Sequence, residues 1–248
     1  MSDATGSSIT ARERRMPANA GTAGSAGAAG RSMLTYTDIP ADLAEAVRGI
    51  LNRHELREQA GLPPTIAVTG PARGAGVTTV SQALATILAQ ELGRFVCWFD
   101  CSWMRTGRAD HDDGRPGLID ILEDHGQLSR ALLSSNELPQ LVCLSPGSVP
   151  EPSRNQIVRS HELSELLRIL SDEFDHLVFD LPPVLGHANS LALLRQSDAS
   201  LLVIRHRSTT ISQVRRSLES MDPTPNLGVV LNQYRTRIPA GIRRLLGE

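Results

Sequence analysis

Residues 70–79, Gly-Pro-Ala-Arg-Gly-Ala-Gly-Val-Thr-Thr, follow the short apolar run "TIAVT" (65–69) and precede a stretch of helical spacing. Glycines at 70, 74 and 76 allow a strand-to-helix turn to aim several backbone N–H groups at one point, and the helix behind adds the positive end of its dipole. The chemistry this favours is anion binding, phosphate above all. A phosphate loop in its usual form has lysine directly before its Ser/Thr; here that position is Val77, ahead of Thr78 and Thr79. Taken alone, the glycines also fit a plain strand-to-helix turn. Two carboxylates strengthen the signal, because Asp100 and Asp180 each close an apolar run, "FVCWF" and "HLVF". Carboxylates at adjacent strand ends beside a phosphate loop hold Mg²⁺, directly or through water, or orient an attacking group. Singly, either one reads as a helix-capping or turn aspartate.

The elements that must position these residues alternate along the chain. Apolar runs at 65–69, 95–99, 141–144, 176–180, 199–204 and 227–231 read as buried strands. Helical spacing recurs at 42–58, 78–92, near 160–173 and near 210–220. Alternation of this kind predicts an α/β fold with a doubly wound, mostly parallel sheet and right-handed crossovers, whose ligands sit at the carboxyl ends of the strands. Apolar residues make up 40% of the chain and aromatics only 3%, so aliphatic side chains must fill the core. The 248 residues suit one domain with a tail. The expected division is a disordered low-complexity tail over 1–32, an N-terminal helix over 42–61 and an α/β domain over 62–248.

Composition narrows the chemistry further. All 25 basic residues are arginine, so no mechanism that needs lysine can run on this chain. A net charge of −2 argues against nucleic acid as a partner. No run reaches the length of about eighteen apolar residues that a membrane span requires, and no secretory signal is recognisable, so a soluble product is expected. Cys97, Cys101 and Cys143 have no metal-knuckle spacing and read as buried thiols. The polar cluster 108–115, with His111, Asp112 and Asp113, reads as a solvated loop in preference to a metal site. The tail 234–248 mixes arginines with Ile238, Ile242, Leu245 and Leu246, a pattern that suits packing on the domain or contact with a membrane or partner.

In their order these motifs resemble the bacterial tyrosine kinases of capsule and exopolysaccharide synthesis, over residues 42–233. "EAVRGILNRHEL" resembles the helix before their P-loop, "TIAVTGPARGAGVTTVSQALA" their Walker A strand, loop and helix, and "VCWFDCSWMR" their Walker A′ segment. "RPGLIDIL" resembles a downstream signature, "FDHLVFDLPPVLGHANSLAL" their Walker B region, and "SDASLLVIRHRSTT" with "LGVVLNQ" their last strands. The resemblance implies a P-loop NTPase-like three-layer α/β/α fold that binds ATP or ADP with Mg²⁺. It implies that Gly74, Gly76, Val77, Thr78 and Thr79 form the phosphate cradle, with Thr78, Asp100 and Asp180 around the metal. It also implies that Asp100 and Asp180 are the inherited catalytic carboxylates and that Asn232 lies near the base.

Departures from the family pattern are as informative. Val77 replaces the lysine, Ser102 the second Walker A′ aspartate, and Leu51 the last arginine of the Glu-x-x-Arg-x-x-Arg self-association helix, in which Glu45 and Arg48 remain. Tyr36 and Tyr234 are the only tyrosines, so the tyrosine cluster that family kinases phosphorylate is absent. The expectation is therefore a degenerate, catalytically impaired relative that regulates polysaccharide synthesis or export. By resemblance it would lie in the cytoplasm at the inner face of the membrane, held there by a membrane-spanning co-polymerase, as a homo-oligomer or paired with an active homologue. Two rivals stand beside it: an active autokinase in which Arg73 or Arg105 replaces lysine, and a partitioning or cell-division ATPase.

Overall fold

A computed structural model describes residues 39–58, 61–101, 103, 116–134 and 137–234. Seven strands form one sheet: β1 (Thr65–Thr69), β2 (Val96–Asp100), β3 (Leu132–Ser134), β4 (Leu141–Leu144), β5 (His176–Asp180), β6 (Ala199–Arg205) and β7 (Asn226–Asn232). Their order is β3-β4-β2-β5-β1-β6-β7. Every pairing is parallel except that of β3 with β4. The helices are α1 (Ala41–Glu58), α2 (Val77–Gln90), α3 (Leu118–Glu123), α4 (Leu128–Ala131), α5 (Glu151–Val158), α6 (His161–Glu173), α7 (Ala188–Leu194) and α8 (Ile211–Met221).

Strands β1, β2, β4 and β5, and β6 up to its last two residues, are buried on both faces, and their side chains divide by the two-residue period of a pleated sheet. Ala67, Cys97, Phe99, Leu177, Phe179 and Leu202 join the core shared with α3, α5, α6 and α7. Ile66, Val68, Val96, Trp98, Val178 and Val203 point the other way, to α1 and α2. Three layers result, as expected from the sequence. Helix α2 is the central one, buried from Val80 through Ala89, and its run of small and aliphatic residues lets it lie close against the sheet. The indole of Trp98 in β2 donates to Ser81 Oγ in α2 at 2.9 Å, pinning strand to helix at a polar point inside the core.

Helix α1 packs on the same core. Leu43, Val47, Ile50 and Leu51 are buried there, and Arg48 makes a two-pronged ion pair with Glu91 just past α2, at 2.7–3.0 Å. Leu51, the position at which the resemblance implies the last arginine of a self-association helix, is a core residue, 3% exposed.

The expected strand positions agree with the structure to within a residue or so, as at Val96–Asp100 against 95–99. Strand β3 was not expected. Its three residues are too short for a periodic signal, and their antiparallel pairing with β4 caps the sheet edge. Asp180 therefore ends the fifth strand and not the fourth. The short helices α3, α4, α5 and α7 also lacked enough turns for a clear pattern. The cysteines meet their expectation: all three are free and buried. Burial pushes the Cys97 thiol up to about 12, and burial, reinforced by the Asp100 carboxylate, raises Cys101 and Cys143 well above the ordinary range.

Candidate functional site: a glycine loop and two aspartates at the strand ends

The sheet brings the sequence-predicted residues to one edge. Residues 70–76 leave the end of β1, and α2 begins at Val77 with Gly76 as its N-cap. Gly76 has a φ of 91° and Gly74 one of 79°, both in the left-handed region where a side chain is strained. Gly76 also has no room for one, since an added Cβ would collide with the Asn232 amide. Asn232, at the end of β7, donates its amide to the Ala75 carbonyl at 2.8 Å, a contact that spans 157 residues of sequence. That hydrogen bond fixes the curl of the loop. The residue that the resemblance places near a nucleotide base is thus seen to buttress the glycine loop.

Asp100 and Asp180 are register partners on the adjacent parallel strands β2 and β5, and both are buried. The Thr78 hydroxyl, in the first turn of α2, donates to Asp180 Oδ2 at 2.7 Å. The segment beyond Asp180 is clasped to the base of the loop: Leu181 N–H donates to Val68 O and Val184 N–H to Gly70 O. Thr69 Oγ1 completes the clasp by donating to Pro182 O at 2.8 Å. One hydroxyl and two carboxylates at this spot form an all-oxygen donor set of the kind that suits Mg²⁺. The glycine loop suits an anion beside it. Thr79 is exposed on the outer face of the same turn.

Val77 is the exception. Its Cγ2 lies 3.1 Å from the point where a Cβ on Gly70 would sit, so the side chain folds down over the end of β1 and packs on the core of α1 and α2. The site thus combines a left-handed glycine turn with a hydroxyl and two buried carboxylates, and an aliphatic side chain stands at position 77.

Ser102, Arg105 and the cluster 108–115 lie outside the described residues, as do the tail beyond Tyr234 and residues 1–38. Among the described residues no group of three or more His, Cys, Asp or Glu could hold a metal ion, and no helix is long and apolar enough to cross a membrane. His187, at the N-cap of α7, is half-buried.

One residue near the loop was missed by sequence reasoning. Arg205, the last residue of β6, places a guanidinium nitrogen 3.5 Å from the position of a Cβ on Gly74. Its position as the first charge after the apolar run "ASLLVI" was the available signal.

No family model matches the chain. Among curated proteins, the tyrosine-protein kinase ptk of Acinetobacter johnsonii is 28% identical over 172 residues, 68% of this chain and 22% of its own length. The tyrosine-protein kinase wzc of Salmonella typhimurium is 27% identical over 208 residues, 82% of this chain and 28% of its own. Bacillus subtilis YwqD, also a tyrosine-protein kinase, is 25% identical over 206 residues, covering 82% of this chain and 86% of YwqD. Its homologues are bacterial tyrosine-protein kinases. The chain spans about a quarter of ptk and wzc but most of YwqD. Solved tyrosine-kinase domains share the fold. That of VpsO superposes with a TM-score of 0.65 at 24% identity, over 81% of this chain and 100% of that one. The kinase domain of Escherichia coli ETK gives 0.66 at 20% identity, over 84% and 86%. A MinC:MinD cell-division complex of Aquifex aeolicus gives 0.52 at 20%, over 74% and 72%. The tyrosine-kinase homologues share the mostly parallel, P-loop NTPase-like sheet.

Proposed function

We propose that this chain is a catalytically impaired relative of the polysaccharide-pathway tyrosine kinases, which retains a nucleotide-type pocket and acts as a regulatory subunit. The observation that carries the reading is Val77. Its side chain is turned onto Gly70, while the Thr78–Asp180 pair, Asp100 and the Asn232 buttress keep the rest of the site in order. Phosphoryl transfer relies mainly on positioning and charge stabilisation, so loss of the lysine removes rate far more than it removes shape. Loss of one well-placed stabilising group costs on the order of 3 kcal/mol, about a hundredfold or more in rate. Thr78, Asp180 and Asp100 would hold Mg²⁺, which when bound screens phosphate charge. Residues 74–79 would supply N–H donors to the phosphates.

The kinase names of its relatives, and the order of motifs shared with the capsule and exopolysaccharide kinases, support a role in polysaccharide synthesis or export. A membrane-spanning co-polymerase is then the partner that draws the domain to the inner face of the membrane. The higher structural scores of the kinase domains over the MinD complex support this reading over a cell-division ATPase.

The test is a radiolabel assay with ATP and Mg²⁺ on the purified chain, beside calorimetry with ADP. Little or no hydrolysis and no phosphotyrosine are expected, with weak ADP binding that Gly76→Val abolishes, because a side chain there strikes Asn232. Strong phosphotyrosine that vanishes in Asp180→Ala would overturn the impaired reading. ADP binding that survives Gly76→Val would place the nucleotide elsewhere.

A further inference from the structure

We propose that Arg205 is a phosphate-binding residue, which brings to the glycine loop from its Gly74 side the charge that Val77 cannot supply. This rests on the nucleotide-pocket reading above and specifies what holds the nucleotide. Strand β6 lies between β1 and β7, so its last residue ends at the rim of the loop. Arg205 is the register partner of Asn232, and the two side chains reach the loop at Gly74 and Ala75 respectively.

The backbone of Arg205 is held from several sides. Its N–H donates to Thr209 Oγ1 at 2.9 Å, while Ser208 and Thr209 N–H groups donate to its carbonyl at 3.2 and 3.0 Å. The next residue, His206, donates its N–H to Asn232 O at 3.0 Å and sets its ring 4.9 Å from that of Tyr234. Arg207 then turns the chain with a φ of 61°. These bonds fix where the arginine stem starts. Its side chain is exposed, and no carboxylate among the described residues pairs with it.

A guanidinium suits this place. It keeps its charge at every working pH and offers a planar fork of donors that matches two phosphate oxygens at once. Gly74 has no side chain to separate that fork from an anion resting on the loop N–H groups. Arg205 stands at Gly74 and not at the Thr78–Asp180 pair. Its charge therefore strengthens phosphate binding without restoring the lysine at the start of α2, so affinity and turnover part company in this chain.

Calorimetry of the full chain with ADP and with adenosine, on the parent, Arg205→Ala and Arg205→Lys, tests this. Arg205→Ala should weaken ADP about tenfold and leave adenosine unchanged, and Arg205→Lys should recover part of the loss. Circular dichroism checks that each variant is folded; should Arg205→Ala fail to fold, Arg205→Gln, which keeps the stem, carries the same expectation. If the parent binds ADP and the alanine variant binds it equally, Arg205 has no phosphate role, while the pocket reading stands. Equal weakening of ADP and adenosine would mean that Arg205 only shapes the loop, and would also overturn the proposal. A parent that binds no ADP removes the pocket reading and this inference together.

Discussion

On the function proposed above, the side chain at Val77 is what leaves a loop that binds phosphate without driving its transfer. Valine fills the space over Gly70, an apolar contact that a lysine stem could keep while its ammonium reaches toward the loop N–H groups. Val77→Lys should therefore fold and tighten ADP binding by roughly tenfold or more, since a charge-assisted contact is worth about 1.5–3 kcal/mol. The ratio of dissociation constants for variant and parent measures this. Hydrolysis should stay low, because restoring one charge does not restore the carboxylate that Ser102 replaces. An unchanged ratio in a folded variant would mean that the loop lacks phosphate-binding geometry despite its glycines. Gly76 is the complementary case: its left-handed backbone strains any side chain, and a Cβ there would have to displace the Asn232 amide.

Among the elements, α1 holds to the domain by two kinds of contact. Leu51 sits in the core with Val47 and Ile50, whereas Arg48 reaches Glu91 across a partly exposed surface, with side chains 40% and 25% exposed. The two contacts should differ sharply in worth. Leu51→Ala should destabilise the fold by about 2–5 kcal/mol, the range for a buried leucine cut to a methyl. Arg48→Ala should cost about 1 kcal/mol or less, as for exposed ion pairs. Urea unfolding midpoints of the two variants separate these values. Comparable losses would mean that the helix is held by its ion pair and not by its apolar face. A role for the remaining Glu45 and Arg48 in self-association is a proposal that such variants also serve, because Arg48→Ala leaves the helix docked.

For the whole molecule, stability should depend on pH through His176 at the start of β5. Burial lowers its pKa below the ordinary value; Arg94 acts the same way, while the Pro63 carbonyl and Asp175 oppose the shift. Its Nδ1 lies 2.9 Å from Pro63 O, tying β5 to the segment that leads into β1. Because the folded pKa is the lower one, the unfolded chain takes up the proton first as pH falls. This contribution to stability is full above about pH 6.5 and declines as the pH drops below that, until the folded form is also protonated. Urea midpoints between pH 7.5 and 5.5 should fall, and the decline should be shallower in His176→Gln. A midpoint that holds steady across that window, or a slope unaltered by the substitution, would contradict this account.

Much of this architecture was legible before any coordinates. A strand buried on both faces must be a short, nearly continuous apolar run, so "TIAVT", "HLVFD" and "ASLLVI" announced β1, β5 and β6, and the residue after each run marked the ligand edge. The glycine loop, Asp100, Asp180 and the missing lysine followed from residue identity alone. Short elements such as β3 and α4 stayed hidden, because three or four residues hold no full period. What only the tertiary structure decided were contacts between strand ends far apart in sequence. Thr78 reaches Asp180 across 102 residues, and Asn232 reaches Ala75 across 157. That Arg205 reaches the loop depends on strand order, which local periodicity does not encode. Burial pattern is written residue by residue in the chain, but adjacency at the sheet edge arises only when β6 packs between β1 and β7. That packing brings Arg205 to Gly74.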